Sequence, residues 1–535
     1  MSKLPANLHR WVYFFGLSVV TIGLPLSEFL MSIGQIILLL NWFAEGALKE
    51  KLKRFWQNKI AVLVSSVLIM HLLGLLYTSD FEYAFKDIRI KAPLLILPFV
   101  IASSQTLSQT LFNWLMAIFV AAVAIGTFVS MGVYFGFIHP KFPVLEIRDI
   151  SIFISHIRFS LLICFSIFTA TWYLYVEPSW IKKIGLSLLI GWLTTFLLIL
   201  DALTGVVVLV LVALIVLVYN SLVSENKFLR NLAKISLIGL LIWLVFYSVP
   251  LVRTTMNHQM HYTKAETRTK FGGPYESDTL NPQRENGYQV WVNNSWDELE
   301  TAWNKRSAIN FYGRNDRGDE IMFTIIRYMS SKGLKKDAEG LSALDDNEIK
   351  LIEDGIANIN YVGKSPVTVR IMETMWELMD FRAGGNVNGH STAMRLEFWR
   401  AGLHILKKNP LIGVGTGDIR NVYASTYDEI HSPLNASHRL RSHNQFLSIA
   451  VAFGCLGLAW FLFALCYPFV HFKMWRNYFY FTFILIATLS FFNEDTLETQ
   501  PGVTFFAFFN ALLLFGVEWS GVVKSGSGES EVKEK

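Results

Sequence analysis

Charge is scarce in this chain. Asp, Glu, Lys and Arg make up 17% of its 535 residues, while 53% are hydrophobic and 14% aromatic. A soluble protein of this length would carry about 25% charged residues, so a large water-exposed surface is excluded. Cysteine is almost absent: Cys164, Cys455 and Cys466 all lie in apolar runs, where a thiol acts as a small hydrophobe. The long polar segment has none, which excludes a disulfide framework or a Cys-based metal site there. No HExxH and no supported DxD occurs, so any chemistry is expected to run without a metal ion. There is no internal repeat and no low-complexity tract. The net charge of +5 is too small to signal nucleic-acid binding. Lys3 and Arg10 precede the first apolar run, but no small-residue cleavage site follows, so that run is read as a retained helix.

What is present is a series of long apolar runs. With about 20 residues per crossing as the yardstick, roughly twelve spans are expected, at 10–25, 27–45, 59–77, 91–104, 110–136, 157–176, 183–200, 202–220, 233–252, 444–470, 476–493 and 501–518. The expected class is therefore an all-α polytopic membrane protein. Basic residues cluster in alternate connections: Lys49, Lys51, Lys53, Arg54 and Lys59; Lys182 and Lys183; Lys227, Arg230 and Lys234; Lys473 and Arg476. By the positive-inside rule that side is the cytoplasm, and both termini fall on it. Four parts follow: spans one to nine in 1–252, a large loop in 253–440, spans ten to twelve in 441–520, and a cytoplasmic tail in 521–535. The loop is expected to be mainly helical. A helix should follow Asn294-Ser295, and two short ones should lie within "GLKKDAEGLSALDDNEIKLIEDGIANI". Another should end at Asn409-Pro410 and present Leu396, Trp399, Leu403 and Leu406 on its apolar face, while 262–292 reads as irregular.

Ionisable residues gather at one face. "RLRSHNQFLSIAVAFGCLG" sets Arg439, Arg441, His443 and Asn444 at the mouth of the tenth span, with Gly454 and Gly457 positioned for close helix packing. One or two such residues would be interfacial anchors. Four basic residues, His438 included, beside a helix N-terminus favour an anion site. "STAMRLEFWRAGLHILKKNPLIGVGTGDI" places Arg395 one turn before Trp399, then a proline and Gly413, Gly415 and Gly417. No Gly-Lys-Ser/Thr follows and no strand leads in, so it is neither a P-loop nor a dinucleotide fingerprint. A helix stop with a tight turn accounts for the glycines, and Arg395 is either a salt-bridge partner or a guanidinium fork for phosphate. Arg158 beside His156, and Arg89, open the sixth and fourth spans as anchors or ligands. Together Arg89, Arg158, Arg395, Arg439 and Arg441 suit a phosphorylated lipid. Glu494 and Asp495 could orient a histidine or a sugar hydroxyl, but a solvated acidic turn is the favoured reading.

The His443–Asn444 pair followed by Gly454 and Gly457, and the Arg395–Trp399–Pro–Gly-x-Gly segment, resemble the signatures of the O-antigen ligase and polymerase superfamily. The specific part covers Arg395 to Gly457; elsewhere the likeness is one of layout, with twelve spans and a large loop between the ninth and tenth. The resemblance implies a GT-C-like fold in the bacterial inner membrane with a periplasmic loop. It implies an inverting, metal-independent glycosyltransferase that needs no cofactor. The donor would be a glycan on undecaprenyl pyrophosphate and the acceptor, first, lipid A–core. Polysaccharide polymerisation and protein O-glycosylation are the alternatives within the superfamily. The critical histidine carries over to His443, the loop arginine to Arg395 and a further arginine to Arg158. On this reading Arg158, Arg441, Arg439, Arg89 and Asn444 bind substrate, while His443 takes or orients the acceptor proton. The residues from about 262 to 390 depart from the usual loop, which leaves the acceptor open. The rival from another class is a transporter of lipid-linked glycan, which would more often carry charges or broken helices near the bilayer midplane, in two related halves.

Overall fold

Polar caps mark where the apolar runs begin. Ser27, Asn58, Ser108 and Asn477 each accept a backbone N–H of the first turn of the helix that follows. The computed structural model describes residues 6–519 except 141, 145–146, 257–259 and 316–317; Lys3 and the expected tail at 521–535 lie outside the described residues. The first part comprises α1 (Ala6–Leu26), α2 (Glu28–Ala44), α3 (Leu48–Gln57), α4 (Lys59–Leu73), α5 (Phe81–Lys91), α6 (Pro93–Ser103), α7 (Gln109–Tyr134), α8 (His156–Val176), α9 (Trp180–Ile199), α10 (Leu203–Val223) and α11 (Lys227–Met256). The loop contains a small hairpin of β1 (Arg284–Glu285) and β2 (Tyr288–Gln289), then α12 (Trp296–Asn304), α13 (Ile321–Ser331), α14 (Ala338–Ser342), α15 (Asp346–Glu353), α16 (Pro366–Arg382), α17 (Ser391–Lys408) and α18 (Ile419–Glu429). Helices α19 (Gln445–His471), α20 (Tyr478–Asn493) and α21 (Gln500–Ala511) close the described chain.

The protein is an all-α polytopic membrane protein. Among the described residues, seven helices are long and apolar enough to cross a membrane, and α2 with α3 forms one further candidate bent by 117°. Each run expected to span is helical, yet length and apolarity select fewer than twelve, because α6 has 11 residues and α20 has 16. The basic connection after the second run is itself a helix, α3. Its Lys51 is buried against Glu45 (2.7 Å) and donates to the Trp42 carbonyl.

The membrane core is aromatic. Phe119 of α7, Phe165 of α8, Phe483 of α20 and Phe509 of α21 pack ring against ring, with centroids 4.8 Å apart for Phe165–Phe509 and 5.0 Å for Phe119–Phe509. Helices α10 and α11 pack together at the periphery, and α11 leaves Ile238, Trp243 and Phe246 exposed, as a lipid-facing helix would.

The loop residues divide between two cores. Trp303, Phe311, Ile325, Tyr328, Met329 and Leu341 form one of their own. Phe398, Ala401, Ile405, Tyr423 and Tyr427 belong instead to the membrane core. The expected helices appear as α12, α14, α15 and α17, and Asp345 builds a reciprocal capping box with Glu348 at α15. Ser295 stands at the N-cap of α12, although its side chain makes no cap bond. The expected apolar face of α17 is corrected. The buried face is Phe398, Ala401, Gly402 and Ile405, while Leu403 is exposed. Small residues explain this: a Cβ on Gly402 would stand 2.6 Å from the Tyr423 hydroxyl and 2.9 Å from Leu447, so α18 and α19 close on that side.

Candidate functional site

Two backbone devices hold the site. The first is a break in α19. Gly454 adopts φ 66° and ψ −168°, outside the helix, and the chain before α18 fills the gap. The freed N–H groups of Cys455 and Leu456 donate to the carbonyls of Pro410 and Leu411 (2.8 and 3.2 Å), and Val414 and Gly415 donate to the carbonyls of Val451 and Ala452 (3.0 and 2.9 Å). A span can be broken where protein groups or water satisfy the freed backbone, and here other backbone does so. A Cβ on Gly454 would lie 2.2 Å from Leu411, and one on Gly413 would lie 2.4 Å from Ala452. The expectation that Gly454 admits a neighbouring helix is therefore corrected: it admits a loop backbone. The same loop is tied to the end of α4, where Thr416 Oγ1 donates to the His71 carbonyl and Asp418 accepts from Ser79 and Asp80.

The second device is the turn before α19. Asn444 caps the helix through its side-chain oxygen, which accepts from Leu447 (3.0 Å), and its amide donates to the Phe492 carbonyl (2.9 Å). Ser442 is fully buried and bonds across the turn to the Asn444 carbonyl. His443, between them, is held at φ 45°, a left-handed conformation uncommon for a residue with a side chain. Such an outlier marks a position that the surroundings over-determine.

His443 faces two buried carboxylates from the α20–α21 connection. Its Nδ1 lies 3.7 Å from Glu494 Oε2 and from Asp495 Oδ1, just beyond hydrogen-bond reach, and Nδ1 has no other partner. The ring leans on Phe398, with centroids 5.6 Å apart. Three arginines surround the same carboxylates. Arg395 of α17 reaches Glu494 Oε1 at 2.8 Å. Arg158, in the first turn of α8, reaches Glu494 at 3.4 Å and Asp495 at 3.6 Å. Arg441 reaches Asp495 at 3.7 Å and Glu498 at 2.9 Å, and donates to the Tyr83 hydroxyl (3.1 Å). Behind them Lys91 joins Glu498 (2.7 Å) to Asp87 (2.5 Å), fully out of water.

The acidic turn is thus corrected from solvated to buried: Glu494 is 1% exposed and Asp495 5%. Burial would raise the Glu494 carboxyl, but the His443 imidazole, Arg158 and Arg395 outweigh it and hold it below the usual carboxylate range. For Asp495 burial prevails over Arg441 and His443, and its carboxyl is pushed up. Glu498 is held well down, since Lys91 and Arg441 overcome its burial. One ionised carboxylate and one that keeps a proton more readily therefore stand side by side before His443. Each guanidinium spends only part of its five donors here, and Arg158 Nε has no partner.

Of the expected residues, the fold brings together His443, Arg395, Arg158, Arg441 and Asn444. Arg439 lies apart: it pairs with Asp428 (2.5 Å), donates to the Leu434 carbonyl and sits over Tyr427. Arg89 is exposed on α5, outside the cluster. The sequence reading missed Glu498, Asp87, Lys91 and Tyr83. The four-residue spacing of Asp87 and Lys91 was a visible pairing signal. One grouping bears on the expected absence of a metal site. One ligand atom each from His443, Glu494 and Asp495 lies within 4.8 Å of the others, a group that could hold an ion. The arginines already contact both carboxylates, so an ion would have to compete with them.

Residues 355–462 match the family model described as O-antigen ligase, a stretch containing Arg395, His443 and Gly454. The match implies O-antigen ligase-type or related glycosyl transfer at a membrane. No curated protein matches the chain.

Proposed function

We propose that this protein transfers a glycan from undecaprenyl pyrophosphate to an acceptor hydroxyl at the periplasmic face of the bacterial inner membrane, with lipid A–core as the first acceptor. The observation that carries the reading is His443, held in a left-handed turn and facing buried Glu494 and Asp495 within a ring of three arginines. The carboxylates fix the guanidiniums, and the remaining donors of Arg158, Arg395 and Arg441 bind the pyrophosphate. They stabilise the charge that grows as it leaves. His443 takes the proton of the attacking hydroxyl, and Glu494 supports the imidazolium that forms. Attack opposite the leaving group inverts the anomeric carbon. The arginines supply the charge stabilisation that a metal would otherwise give. Both termini lie in the cytoplasm on this reading.

The test is a gel of lipopolysaccharide from a deletion strain complemented with wild type or His443→Ala. Bare lipid A–core with accumulating lipid-linked polymer, rescued by wild type alone, supports ligation. Core carrying a single repeat unit would assign polymerisation instead. An unchanged ladder would point to a protein acceptor or to transport.

A further inference from the structure

Three cations beside the cluster have no ion-pair partner among the described residues: Lys86 and Arg89 on α5, and Arg420 on α18. All three are exposed and border one open depression of about 530 Å³. Asp80 and Glu82 share its rim, and Asp80 is turned to the helix cap and Asn421, so three cations stand against two carboxylates and a net positive charge remains. Phe81 and Phe85 are 49% and 62% exposed and lie one turn apart in line with Arg89. Exposed aromatic rings alongside cations, on a short helix joining two apolar ones, match an element lying in a membrane–water interface. The inner wall is Tyr83, whose hydroxyl accepts from Arg441. The depression and the buried cluster are therefore neighbours separated by one side chain.

We propose that this depression is a second binding site, for the phosphate-bearing head of an anionic glycerophospholipid, with Phe81 and Phe85 against its chains. Guanidinium forks and an ammonium suit a phosphodiester. The site stands independently of the glycosyl-transfer reading. Its occupant touches the reaction centre only through Tyr83 and Arg441.

The experiment uses the full-length protein reconstituted in mixed vesicles of phosphatidylglycerol and phosphatidylcholine, then extracted and washed in detergent, with retained lipid measured by mass spectrometry. No glycan donor is present, so failure here leaves the proposed reaction untouched. Wild type should retain phosphatidylglycerol over phosphatidylcholine, and Lys86→Gln/Arg89→Gln/Arg420→Gln should lose that preference by roughly tenfold or more. Arg89→Lys/Arg420→Lys, which keeps the charge, should retain most of it, separating charge from misfolding. Equal retention by wild type and the triple variant would overturn the proposal, as would equal retention of the two lipids. Full displacement by inorganic phosphate would assign a free-anion site and overturn the lipid.

Discussion

At the residue scale the site rests on a few side chains whose partners come from far along the chain. His443→Ala should leave the fold intact, because the side chain is partly exposed and its Nδ1 makes no hydrogen bond among the described residues. It should cut glycan transfer by about 10²–10⁴-fold, the usual share of a general base, measured with purified donor and acceptor. Glu494→Gln keeps the shape but leaves Arg395 and Arg158 without their shared counter-charge. The expected cost is about 2–3 kcal/mol, at the low side for unpairing a buried charge because Arg395 is partly exposed, and it is read as a lower melting temperature in detergent. His443, Arg395, Arg158 and Arg441 were legible in the sequence because basic residues beside an apolar run need a reason. Glu494, Asp495 and Glu498 were not, because an acidic turn between two apolar runs looks the same whether water or arginines surround it. Only the fold brings the α8 and α17 arginines to it.

At the element scale, the glycine loop and the break in α19 complete each other. Gly454→Ala would place a methyl into the Leu411 backbone at a positive φ, a strain of about 1–3 kcal/mol before the clash is counted. The expected outcome is a marked loss of folded protein on size exclusion, whereas Cys455→Ala at the exposed neighbouring position should be silent. Gly413→Ala disturbs the same contact from the other side, so the double variant should cost less than the two single losses combined. The glycines were visible in the sequence, but their use was not. A tight turn and a small-residue pair each explained them locally, while the hydrogen bonds that unite them link segments about 40 residues apart. The misassigned face of α17 has a similar cause: the larger apolar residues marked one face, and Ala401 and Gly402 admit neighbours on another.

At the scale of the whole molecule, the buried charges set the response to pH and to chelators. Burial pushes the Asp87 carboxyl up to about 6, against the pull of Lys91. The folded state therefore binds this proton more tightly than the unfolded chain does. Its contribution to stability grows as pH falls through about 6 and levels off below the ordinary aspartate range. Between pH 7 and 5 the detergent-solubilised wild type should gain thermal stability relative to Asp87→Asn, a comparison that cancels the other buried groups titrating in that window. Glu494 and Glu498 act with the opposite sign, but their carboxyls are held low, so those losses come at more acidic pH. Exhaustive chelation should leave transfer unchanged. A loss restored by one divalent ion would assign that ion to His443, Glu494 and Asp495. The helices were legible from apolar runs, whereas the number of crossings was not, since short and bent helices share their composition. The inserted loop also orders events in time. Residues 410–415 leave the ribosome before Gly454, so the segment that fills the break is made before the helix that it completes. The amides of Cys455 and Leu456 have the Pro410 and Leu411 carbonyls as partners only once the segment has docked. Docking of this segment is thus a step on which the settling of the last helices depends.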